Sequence, residues 1–196
     1  MNKFFTLTFL FCLCSYALAL SDHTYSLDRS IYKAMPYTDI YKKQGVLAYN
    51  VDFGPVNALK KSIEDILDIK LSDRGEAHIT VLTPPEYKKI SPHLSAHEIH
   101  LRFKDEIQRI PFSVKCLGQL SEKGNTVYYV VIASEGLIEI RKKILEMAKE
   151  NAQNAPIDFD PIKFYPHITV GFITGDIHDR PKNVDSCSSP KNLIIK

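Results

Sequence analysis

His78-Ile79-Thr80-Val81 recurs letter for letter as His167-Ile168-Thr169-Val170, and this repeat organises the reading of the whole chain. Upstream of the first copy lies an apolar, strand-like run from Val46 to Phe53. A Gly-Pro start then leads into a helical pattern with Val56, Leu59, Ile63, Ile66 and Leu67 on one face. Upstream of the second copy lies Val127 to Ala133, then Gly136 and a helical pattern with Leu137, Ile140, Ile144, Leu145 and Ala148. Each copy therefore reads strand, helix, loop, His-Ile-Thr-Val strand. Two such units predict an α+β chain of two duplicated lobes, each a sheet with helices on its outer face. Pseudo-twofold symmetry then brings the two tetrapeptides together.

The remaining segments fit around the repeat. Thr83 to His93 is rich in turn residues, Ser95 to Ile107 has the pattern of a charged helix, and Phe112 to Leu120 that of a strand. This strand is expected to pair with the one from Thr126 through a Gly124-Asn125 turn. Gly175 to Pro190 reads as loop, and Leu193 to Ile195 as a short closing strand. Residues 20–43 hold four tyrosines without a clear period, and are expected to pack on the domain as an arm.

Residues 1–19 have the form of a signal peptide: Lys3, an apolar run from Phe4 to Leu13, and Ala17-Leu18-Ala19 before the predicted cut. The run is too short for a bilayer span, and no later segment is apolar enough for one. Cleavage leaves 177 of the 196 residues, enough for a single domain over 44–196 behind the arm. The expectation is a secreted or periplasmic protein, monomeric and free of the membrane after cleavage. Its net charge falls from +2 to +1 with the loss of Lys3. So small an excess argues against a protein that coats long duplex nucleic acid by neutralising many phosphates. Cys116 and Cys187 are the cysteines left, and an oxidising compartment favours their pairing if the two Cα atoms come within reach.

In a strand, residues i and i+2 share a face, so Ile and Val of each tetrapeptide turn to the helices while His and Thr turn away together. Two imidazoles and two hydroxyls on one face suit general acid and base work near neutrality, with hydroxyls to hold anionic oxygen. That constellation fits in-line displacement at a phosphodiester and calls for no metal or cofactor. The catalytic candidates are His78, Thr80, His167 and Thr169. Tyr165 shares their parity and is the candidate for substrate binding, by stacking a base or ribose. By parity Glu76 is placed to orient His78, and Gly171 to leave room for substrate. Lys163 and Arg74, near the two strands, are candidates to attract phosphate but read first as surface charges. His93, His97 and His100 lack a metalloprotease spacing and read as a solvated helix face.

The paired motifs, the second preceded by Pro166, resemble the signature of the two-histidine (2H) phosphoesterase superfamily, also called LigT-like. Gly75-Glu76-Ala77-His78-Ile79-Thr80 followed by Thr83-Pro84-Pro85-Glu86 looks most like its Swiss Army Knife branch. The resemblance implies a bilobal fold with two sheets flanking a central cleft. It also implies metal-independent hydrolysis of a small nucleotide or RNA 3′-end phosphodiester, with a 2′,3′-cyclic phosphate the expected substrate. His167 is then the base, His78 the acid, and Thr80 and Thr169 the holders of phosphoryl oxygens. The alternative is a secreted nucleotide-binding or interaction protein of the same fold without turnover.

Overall fold

The structure, a computed structural model, describes residues 20, 23–38, 47–153, 155–189 and 192–196. The predicted signal segment lies outside the described residues. The first repeat unit is β2 (Leu47–Val51), α1 (Phe53–Leu67) and β3 (Ala77–Leu82); the second is β5 (Asn125–Ala133), α4 (Glu135–Asn151) and β6 (His167–Phe172). In each unit the two strands pair antiparallel. Helix α1 begins where Asp52 accepts a hydrogen bond from the Gly54 amide, and α4 where Ser134 accepts one from Leu137. Both helices bury an apolar stripe: Val56, Leu59, Ile63 and Leu67 in α1, and Leu137, Ile140, Ile144 and Ala148 in α4. Ile66 departs from its expected place on that stripe and stands exposed.

The two units do not build two sheets. Their strands join with β4 (Ser113–Glu122) into one five-stranded antiparallel sheet of order β2-β3-β6-β5-β4. The junction of the units is the β3–β6 contact, whose register is the single pair Ile79 with Ile168. The expectation of separate sheets flanking a cleft is thus corrected: the motif strands face each other directly, and hydrogen bonding across them closes the sheet. One face of the sheet carries Ile79, Val81, Ile168, Val170, Tyr128 and Val130 into a core shared with α1, α3 (Ala96–Ile107) and α4. The opposite face carries a smaller cluster of Cys116, Val127, Tyr129, Val131 and Ile177.

Two local expectations shift, and the closing strand expected at Leu193–Ile195 finds its partner. Thr83 to His93 contains a helix, α2 (Pro84–Ile90), because Thr83 and Glu86 form a reciprocal capping box and the two prolines occupy first-turn positions. The β4–β5 hairpin turns at Lys123-Gly124, one residue earlier than expected, with φ of 50° and 79°, the left-handed pair that a two-residue hairpin needs. Finally, β7 (Leu193–Ile195) pairs in parallel with β1 (Tyr25–Leu27) from the arm and makes a second, two-stranded sheet. Tyr25, Leu27 and Ile31 are buried by this packing.

Candidate functional site

Antiparallel pairing through Ile79 and Ile168 sets His78 beside Thr169 and Thr80 beside His167. The two histidines are then diagonal neighbours on adjacent strands, a relationship that spans about 7–8 Å between backbones. All four side chains are half-buried and line one cleft of about 490 Å³, a volume that suits a nucleotide-sized ligand. Tyr165 lines the same cleft from the segment just before β6.

The two imidazoles have different partners. His78 Nδ1 lies 2.7 and 3.0 Å from the Glu76 carboxylate oxygens, and its Nε2 lies 3.1 Å from Thr80 Oγ1. His167 Nδ1 lies 2.8 Å from the Tyr165 carbonyl, to which it donates, so that Nε2 carries the lone pair. Lys182 Nζ donates to that Nε2 at 3.2 Å and to Asp176 Oδ1 at 2.7 Å. Asp176 also accepts from Arg74 at 3.0 Å and from Thr169 at 3.4 Å. Burial, then the Lys182 charge, then the His78 ring push the His167 pKa well below the ordinary histidine value, against the Tyr165 carbonyl and Asp176. Burial works against the charged form of Asp176, but the Lys182 ammonium outweighs it and holds the carboxyl below the usual range.

Lys182 and Asp176 were not among the sequence candidates. They lie on a polar, aperiodic loop where no residue pattern marks them. The loop is fixed at both ends. Asn125 donates to the Gly175 carbonyl and accepts from the Thr174 amide, while Cys187 forms a disulfide with Cys116, Cα atoms 5.9 Å apart. The ammonium of Lys182 also sits over the Tyr129 ring at 5.5 Å, and the same ring meets His167 edge-on. Arg141 was missed too, although a charge on the apolar stripe of α4 was a readable signal. It is buried between Phe159 and Phe164 and donates to Glu86 and to the Val81, Asp160, Pro161 and Lys163 carbonyls.

The secondary candidates divide. Glu76 bonds His78, Arg74 pairs with Asp176, and Arg74 and Lys163 both line the cleft. Gly171 leaves no room for substrate: a Cβ there would meet Leu71 Cβ at 3.0 Å and the Ser72 carbonyl at 3.1 Å, so its space is taken by the chain before β3. His97 is exposed, but His100 is buried and bonded to the Tyr37 hydroxyl, which corrects the expectation of a solvated face at that residue. Among the described residues no group of three His, Cys, Asp or Glu side chains is disposed to hold a metal ion. Nor is any helix among them long and apolar enough to cross a membrane.

Neither the curated proteins nor the solved structures contain a match to this chain. A family model of the Swiss Army Knife 2H phosphoesterase domain matches residues 45–178, a span that contains both His-Ile-Thr-Val motifs. With more than half of its length matched, the chain belongs to the Swiss Army Knife 2H phosphoesterase family.

Proposed function

We propose that the protein hydrolyses a phosphodiester of a small nucleotide or an RNA 3′ end, a 2′,3′-cyclic phosphate by preference, without a metal ion. The observation that carries this reading is that each imidazole has its Nδ1 bonded to an oxygen acceptor and its Nε2 bonded to a cleft-lining side chain. His167, with a neutral ring and a lone pair on Nε2, takes the proton of the attacking water as its oxygen bonds to phosphorus. His78, backed by the Glu76 carboxylate, gives a proton from Nε2 to the ribose oxygen as its bond to phosphorus breaks. Water is thereby split between the new phosphate and the freed hydroxyl, and the two rings end with one proton exchanged between them. Thr80 and Thr169 donate to the phosphoryl oxygens, and Tyr165 stacks on the base or ribose. A panel of cyclic nucleotides, 2′,5′-linked dinucleotides and cyclic-phosphate oligonucleotides, assayed with EDTA present, tests this. Turnover of one class supports it, and turnover of none favours a binding protein that kept the fold.

The reading extends to where the protein acts. Export with cleavage after Ala19, leaving an arm over 20–43 and one monomeric domain over 44–196, is supported by the form of residues 1–19 and by the Cys116–Cys187 disulfide. Intact mass of the protein recovered outside the cytoplasm checks the cut: a chain beginning at Leu20 is expected, and one that retains Lys3 would overturn it.

A further inference from the structure

Lys182 is a buried lysine with a place in the cleft wall that the reaction above does not use. Only 2% of it is exposed, its Nζ is held by Asp176, and its other near partner is Nε2 of His167, the atom to which the nucleophile's proton would go. A buried ammonium against an imidazole lone pair is an arrangement a merely structural ion pair does not need, since Asp176 is already paired with Arg74. The charged and titratable groups around the ring come from every neighbouring element. Lys182 and Asp176 face it from the loop after β6, His78 from β3 and Tyr129 from β5, with Arg74 behind Asp176 from the segment before β3.

We infer that Lys182 is a further catalytic residue of this site beside the two histidines and two threonines, the cation that receives the anionic phosphoryl oxygens and that, until substrate arrives, keeps Nε2 of His167 capped and unprotonated. The inference rests on the two-histidine reading for its reaction, but its physical content belongs to the free protein. A proton on Nε2 would put two cations within hydrogen-bond distance, and the cost of that contact in a buried site holds the ring neutral. An entering phosphoryl oxygen offers the ammonium a stronger, charge-assisted acceptor than a neutral ring nitrogen. Transfer of that hydrogen bond releases the lone pair at the moment the nucleophile is present. Lys182 keeps all three of its protons throughout, so the proton count of the reaction is unchanged. Asp176, which also accepts from Thr169, is the positioning residue that aims both groups.

The test reads His167 by imidazole nitrogen NMR in the wild type, Lys182→Met and Lys182→Arg, with inorganic phosphate as the anion probe. In the wild type the ring should remain the neutral Nδ1–H form at pH 6. In Lys182→Met its titration should move upward by a unit or more, and phosphate binding should weaken at least tenfold, while Lys182→Arg keeps most of the phosphate affinity. An imidazolium at pH 6 in the wild type would overturn the inference even if the methionine variant did not fold. So would a folded Lys182→Met protein with unaltered titration and phosphate binding. None of these readouts needs turnover, so a failure of the substrate panel leaves them standing and their failure leaves the panel standing.

Discussion

Ile79 faces Ile168 across the junction of β3 and β6, and that one buried pair brings the two histidines onto the same surface. Each isoleucine is the residue between a histidine and a threonine, so burying the pair against the helices turns all four polar side chains to the cleft. A one-residue slip of either strand would carry its histidine into the apolar core, which makes register and site a single property of the fold.

If the histidines act as one acid–base pair, His78→Ala and His167→Ala should each lower kcat by about 10²–10⁴. The double variant should be little worse than the poorer single, because groups that work as a unit do not add. Steady-state kinetics on whichever substrate the panel identifies gives the comparison. Near wild-type turnover by either single variant would remove that histidine from the mechanism.

The pH profile should be a bell, and its acidic limb should lie below that of two ordinary imidazoles. Activity is lost on the acid side when the base takes a proton, and burial followed by the Lys182 charge lowers the pKa of His167. The base therefore survives below the ordinary histidine value of about 6.5. Each limb reports the coupled pair as a whole. The same shift bears on stability: between the folded value and about 6.5 the unfolded chain binds a proton that the native ring refuses. This group's contribution to stability consequently falls as pH drops through that window. Urea midpoints compared at pH 7 and pH 5 should converge in His167→Gln relative to the wild type. An equal drop in both proteins would contradict the shift.

The strand, helix and loop units around each motif were legible because apolar periodicity and the tetrapeptide are local patterns. Glu76 could be placed beside His78 by the same two-residue parity. Repeat symmetry also foretold that the two tetrapeptides meet, but most of what distant chain sets escaped. Fusion of the two units into one sheet depends on backbone pairing of Ile79 with Ile168, and the sequence carries no mark of strand partner. Gly171 shares the histidines' parity, yet its face is occupied by Leu71 and Ser72, which the bridge between Ser72 and Phe172 puts there. Lys182 enters the site on a loop that is fastened at its two ends by Asn125 and by the Cys116–Cys187 disulfide, contacts between residues far apart in the chain.

Loss of that disulfide should act on both stability and turnover. The bridge spans a sequence separation of 71, for which loop-closure entropy contributes about 4 kcal/mol. Cys187→Ser or treatment with reductant should lower the urea midpoint accordingly. It should also lower kcat under conditions where the protein stays folded, since Asp176 and Lys182 are less firmly held against His167. A stability loss with unchanged kcat would show that the loop keeps its place without the bridge.

Arg141 offers the sharpest separation of scaffold from chemistry. Its guanidinium is 1% exposed, stacked 4.8 and 4.7 Å from the Phe159 and Phe164 rings, and bonded to Glu86 at 2.7 Å and to four backbone carbonyls. These bonds tie α4 to the start of α2, to the end of β3 and to the segment that leads into Tyr165 and His167. Arg141→Met leaves the Glu86 carboxylate and the carbonyls without their donor, and removing one partner of a buried pair costs about 3–5 kcal/mol. Lysine should not rescue it, because three donors on one nitrogen cannot replace a planar fork that bonds on several sides while stacking. Lys142→Met, one residue along on the exposed face, should leave the urea midpoint unchanged. At temperatures where Arg141→Met remains folded, KM should rise more than kcat falls, since the cleft wall formed by Pro84, Lys163 and Tyr165 loosens while the two histidines keep their strand register. A fall in kcat with KM unaltered would instead place Arg141 in the reaction itself.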